Sequence, residues 1–220
     1  MEIYKPNFKQ VYKLANEILL ISNTISDFPF SVTKMIAEMT DIQCCSFKRA
    51  VGHGINTKAL GSKSAVIADY NGRCIIFYNE CELEERVRFS LLHELGHYIL
   101  EHDLDTKDLK LYDKQEIEAN CFAAQLLMPE QILLELQHRG KRIDSSFLMC
   151  KFRVSKEAAA KRIDTMHKIN MDFRSKNKQD FDEWLTIKHS AFLDSVLPQK
   201  NSIDWFEDEY ERQRERDNWF

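Results

Sequence analysis

The chain has 220 residues, 44% of them hydrophobic, with only 6 Gly and 4 Pro, a composition that suits one helix-rich globular body with an appendage. Its apolar runs fall well short of the ~20 residues a membrane span needs, and the opening "MEIYKPNFKQ" has no apolar stretch of the kind a secretory signal carries. Residues 171–220 hold 8 Lys+Arg against 12 Asp+Glu and so account for the whole net charge of −4, leaving no basic footprint of a dedicated nucleic-acid binder. The six cysteines lack CxxC spacing and read as reduced thiols, which predicts a cytoplasmic protein.

"FKQVYKLANEILL" spaces Phe8, Val11, Tyr12, Ala15, Ile18 and Leu19 for an amphipathic helix. A shorter helix is expected through "VTKMIAEMT", with Ser31 as its N-cap. "SAVIADYNGRCIIFYN" is two β-prone runs around Asn71-Gly72, a strong hairpin signal, and a strand near residues 42–47 is expected to pair with them. Helical periodicity returns over 83–101. The polar "HDLDTKDLKLYDKQ" reads as a loop before a helix over "EIEANCFAAQLLM", which Pro129 stops. "EQILLELQH" follows, closed by Gly140 at the C′ position. "SSFLMCKF" and "SKEAAAKRIDTMHKI" form a short helical pair with Ser155 as a cap, and Phe181, Trp184, Leu185, Phe192, Leu193 and Val196 place one amphipathic helix in the tail.

The chemistry concentrates in "RFSLLHELGHYILEH". On a helix His93 and His97 are one turn apart and share a face, so each ring can give one nitrogen to a tetrahedral metal such as zinc. Glu94 sits ~100° round from His93, beside such an ion and not aimed at it, the placement of a general base. Surrounding leucines predict a buried helix, where polar side chains need partners. His102 lies ~140° from His97 on a continued helix and cannot reach the same ion, so it is assigned to the helix end. A third ligand is expected on the next helix, where Glu116, Ala119, Asn120, Ala123 and Leu127 share a stripe. The small alanines allow close approach, and Glu118, ~200° from Glu116, should face elsewhere. Asn120 can orient a ligating histidine through its second ring nitrogen. Tyr112, His53 and His138 are candidate oxyanion stabilisers with no spacing that selects one.

The segments "RFSLLHELGHYIL", "EIEANCFAAQLLMP" and "FRVSKEAAAKRI", in that order, resemble the ImmA/IrrE family of metallo-endopeptidases over about residues 10–169. The resemblance implies an α+β fold, a minimal gluzincin-like zincin domain with a small antiparallel sheet and the HExxH helix, followed by a helical C-terminal part. It implies Zn2+ held by His93, His97 and Glu116, with Glu94 as catalytic acid/base and Asn120 where gluzincins carry Asp. It implies a bacterial or mobile-element protein that inactivates a helix-turn-helix repressor by hydrolysis. The expected division is a peptidase domain over 1–128, a helix-turn-helix-like extension over 129–170 and an acidic helical tail over 171–220, a candidate partner-binding element. Direct DNA binding and membrane association are not expected. A substrate peptide is expected as an added strand on the edge of "RCIIFY". The rival reading is a non-catalytic anti-repressor that sequesters such a repressor without cutting it.

Overall fold

The structure, a computed structural model, describes residues 4–169 and 176–197, with side chains in the second segment from residue 180 onward. The hairpin follows from its turn. Strand β2 (Ala65–Tyr70) pairs antiparallel with strand β3 (Arg73–Tyr78), Ala65 opposite Tyr78 and Tyr70 opposite Arg73. Asn71 and Gly72 both take positive φ, 55° and 74°, the two-residue turn whose twist matches the strands. Strand β1 (Gln43–Ser46) lies on the other side of β3 and runs parallel to it, so the order is β1-β3-β2. The expected third strand is present, but it makes the sheet mixed. The chain between β1 and β2 passes through a short helix α3 (Phe47–Gly52) and a 3-10 turn (Thr57–Leu60), crossing the place β3 then fills. "RCIIFY" is therefore the central strand and has no free edge; the two edges belong to β1 and β2.

Helix α1 (Phe8–Ile21) starts at Asn7, whose side chain accepts the Gln10 N–H, and buries Val11, Ala15, Ile18 and Leu19. Helix α2 (Val32–Met39) follows Ser31. Helix α4 (Glu84–Ile99) packs on β2, β3 and helix α5 (Leu109–Leu127), and α5 packs on α1. Helix α5 starts within the stretch read as a loop. Asp108 accepts from Lys110 and Leu111 N–H, and this cap nucleates two solvent-facing turns in which polar residues are good helix formers. The α4–α5 contact is close because residue 96 is glycine: a Cβ there would meet Phe122 Cδ1 at 3.1 Å and Ala119 Cα at 3.3 Å.

Pro129 ends α5, and helix α6 (Glu130–His138) closes with Gly140 at φ 85°. Lys141 N–H donates to Leu136 O and Gly140 N–H to Gln137 O, the two bonds of a Schellman turn. Helices α7 (Ser145–Phe152) and α8 (Lys156–Met166) meet at Arg153, and Ser155 caps the second by accepting Ala158 N–H. The tail holds two helices where one was expected, α9 (Lys176–Lys188) and α10 (Ser190–Val196). The break at His189 lets this ring turn inward against Phe28, 5.1 Å between centroids, while Lys188 Nζ donates to the carbonyls of Leu19, Leu20 and Ser22 at the end of α1. Leu185, Phe192, Leu193 and Val196 join a core that runs from α1 through α10. The aromatic and charged end, "DWFEDEYERQRERDNWF", lies outside the described residues. Among the described residues no helix is long and apolar enough to cross a membrane.

Candidate metal centre

The acidic first turn of α4, Glu84 and Glu85, suits the positive end of a helix. Three turns on, His93 and His97 project toward α5 and meet Glu116. The Nε2 atoms of the two histidines are 3.0 Å apart, and Glu116 lies 3.5 Å from the first through Oε2 and 3.3 Å from the second through Oε1. Atoms bound tetrahedrally at ~2.1 Å sit about 3.4 Å from one another, so each of these separations, two of them to different oxygens of Glu116, is of the size found between neighbouring ligands of a zinc-type site. One ligand atom from each of the three residues falls within 4.8 Å of the others, and among the described residues this is the group of His, Cys, Asp or Glu side chains that could hold a metal ion.

The protonation states suit that use. Burial pushes His97 down to about 3, helped by the neighbouring His93 and His102 rings, and burial lowers His93 against the opposing pull of Glu116. Both rings are therefore neutral near pH 7, with a lone pair to give. His93 Nδ1 donates to Asn120 Oδ1 at 3.2 Å, which leaves its Nε2 lone pair turned to the centre. This is the contact expected of Asn120.

Glu94 stands beside the triangle. Its Oε2 accepts the Ile67 N–H of β2 at 3.0 Å, and burial raises its pKa to about 7, partly offset by that hydrogen bond and reinforced by Glu116. The half-buried carboxylate is thus fixed in direction and able to change protonation near neutrality. Of the three oxyanion candidates, Tyr112 reaches the site. It lies one turn before Glu116, whose charge raises the phenol's pKa. His53 and His138 sit exposed at the ends of α3 and α6.

Two further residues escaped the sequence reading. His102 does not serve only as a helix end: its Nδ1 lies 2.9 Å from His97 Nδ1. Glu118 faces away from the three ligands, as expected, but it is buried against His102: its Oε2 is 3.2 Å from His102 Nε2. The helical angle that set His102 aside holds only while the helix continues, and α4 stops at Ile99. Glu101 preceding His102 in a left-handed conformation, φ 54°, leaves no mark in the sequence, since glycine is the usual signal.

Residues 50–164, just over half of the chain, match the IrrE N-terminal-like domain family, Peptidase_M78. No curated protein matches the chain. A solved structure described as a Mycobacterium tuberculosis transcriptional regulator is similar at 13% identity and a TM-score of 0.45, over 70% of this chain and 46% of that one. The chain thus spans less than half the length of that protein. With the α+β fold, the histidine pair on α4 and the match over residues 50–164, the chain belongs to the IrrE N-terminal-like family of metallopeptidases.

Proposed function

We propose that the protein is a zinc-dependent endopeptidase of regulatory type that works in the cytoplasm and hydrolyses one specific protein, a helix-turn-helix transcriptional repressor. The observation that carries this reading is the convergence of His93 Nε2, His97 Nε2 and Glu116 with Glu94 held alongside. A binder that only sequesters its partner has no use for a buried carboxylate poised near neutrality next to three converging acceptors. Two neutral imidazoles and one carboxylate are the donor set of a catalytic zinc site with an open position. When bound, zinc would supply a Lewis acid for the scissile carbonyl and make water a better nucleophile at neutral pH.

The chain's own residues do the rest. Glu94 takes the proton of the attacking water and passes it to the leaving amine. The Ile67 N–H keeps one oxygen of Glu94 fixed, so the other is the one free to take the proton. The exposed Tyr112 hydroxyl, near Glu116, is the candidate donor to the developing oxyanion, the charge such a group stabilises. Strand β2 is the edge strand beside α4, so an extended substrate adds along its positions flanking Ile67, whose own N–H is taken by Glu94, and not on β3. In this reading residues 1–128 form the peptidase domain, while 129–170 and the acidic tail recognise the partner.

The test is co-expression with the helix-turn-helix repressor encoded nearest the gene. The parent should cut the repressor, and Glu94→Gln should lower cleavage by about 10²–10⁴-fold while still capturing the intact protein. A Glu94→Gln variant that relieves repression as well as the parent, with no fragments in either case, would instead identify an anti-repressor.

A further inference from the structure

We propose that His102 and Glu118 form a positioning relay that fixes which ring nitrogen of His97 carries its proton, and so turns the His97 Nε2 lone pair toward the metal centre. This rests on the ligand set His93, His97 and Glu116 proposed above.

The relay exists because of how α4 ends. Glu101 adopts φ 54°, and its N–H donates to Tyr98 O at 3.1 Å while His102 N–H donates to His97 O at 3.0 Å. These are the two bonds of a Schellman turn, and in that turn the residue after the left-handed position folds back over the residue five before it. Here the pair in contact is His102 on His97, with ring centroids 5.0 Å apart and planes at 74°. A non-glycine residue is disfavoured in this conformation, so the turn is kept against a local preference.

Glu118 comes from α5 on the far side of Glu116. Its side chain and that of His102 are each only 5% exposed. Glu118 Oε2 is 3.2 Å from His102 Nε2, and Oε1 accepts the Asn7 N–H at 2.5 Å. Lys114 Nζ stands 3.8 Å from the same oxygen. The direction of the proton chain then follows from donor and acceptor rules. A carboxylate can only accept, so His102 carries its proton on Nε2. In the neutral ring Nδ1 is then an acceptor, so His97 Nδ1 must donate to it across 2.9 Å. His97 Nε2 is left with its lone pair, facing His93 Nε2 and Glu116. Asn120 does the same for His93 in one step. The two ligating rings are thus oriented by different devices, one amide for His93 and an imidazole–carboxylate pair for His97.

The test uses the full-length protein. In the metal-free parent, 15N-resolved NMR of the histidine rings should find the His97 proton on Nδ1, and His102→Leu should lose that placement. Zinc affinity, read by competition with a chelator, should fall by about 10–100-fold in His102→Leu. It should fall no more than a few-fold in His102→Gln, whose amide can accept from His97 and donate to Glu118. A His97 proton on Nε2 in the parent overturns the relay even where His102→Leu fails to fold. So does an unchanged zinc affinity in a folded His102→Leu. In both cases a zinc-binding parent leaves the ligand set standing. A parent that binds no zinc overturns the ligand set, and the relay's purpose with it.

Discussion

Helix α5 carries two polar clusters that obey opposite rules. At one end Glu116 and Asn120 meet the histidines of α4; two turns on, Gln125 meets Asn16, Gln131, Arg162 and the start of α6. Gln125 is fully buried and saturated. Its amide N–H groups donate to Asn16 Oδ1 and Gln131 Oε1, each at 2.8 Å, while its oxygen accepts from Arg162 Nη2 and Glu130 N. Every bond of Gln125 joins a donor to an acceptor and together they tie α8 to α1 and α5, although Gln131 Nε2 and Arg162 Nε at the cluster's margin have no partner among the described residues. The other cluster turns three acceptors toward one point, with outer protons already committed to Asn120 and His102. Lone pairs so close repel one another unless a cation lies among them. Polar burial alone therefore does not mark a site; convergence of like acceptors does.

The contrast is sharpest in a pair of substitutions. Gln125→Leu strands Asn16, Gln131 and Arg162 in the core and should cost about 2–4 kcal/mol of stability in denaturant unfolding, with zinc binding unchanged. Glu116→Ala should do the reverse, leaving metal-free stability within about 1 kcal/mol while zinc binding collapses. Equal effects of both on both readouts would erase the distinction.

A buried histidine away from the metal centre gives a smaller effect. Burial, with Lys188 adjacent, lowers the His189 pKa from the usual 6.5 to about 4, against an opposing pull from Asp27. A histidine held neutral in the fold stabilises it above the unfolded pKa, and that contribution is lost as pH falls from 6.5 toward 4. Unfolding of the parent between pH 7 and pH 5 should therefore show a loss that His189→Phe reduces by on the order of 1–2 kcal/mol. An identical pH slope in the variant would remove His189 as a source.

The smallest expected effect is at the α4–α5 contact. Gly96→Ala gains helix propensity but presses on Phe122 and Ala119, for a net loss of about 1 kcal/mol. Because Ala119 lies between Glu116 and Asn120, the displaced helix should also weaken zinc binding a few-fold, whereas the Gln125 cluster should be indifferent. Unchanged zinc affinity in Gly96→Ala would show that the close packing does not set the ligand geometry.

The parts legible in the sequence were those set by local repetition. The Asn71-Gly72 hairpin, the i, i+4 histidines, Asn120 one turn beyond Glu116 and the Gly140 stop each rest on a spacing or a turn residue. What stayed hidden depends on where a regular element stops or on what lies across space. Helix α5 starts at Leu109 because Asp108 caps it, although "LKLYDKQ" has no apolar face. Strand β1 joins β3 in parallel, a pairing no local signal fixes. His102 turns back because Glu101 takes a conformation its side chain does not favour, and Glu118 is recruited because the turned ring reaches it. The helical angle is a sound guide within a helix and misleads past its end, as at His102, three residues beyond Ile99.

The central claim is the three-residue metal centre, and zinc per chain measured by elemental analysis tests it most directly, in the purified parent and in Glu116→Ala. The account predicts one zinc per chain in the parent and markedly less in the variant. A parent that takes up no zinc after reconstitution, or a Glu116→Ala variant that holds as much as the parent, would contradict it.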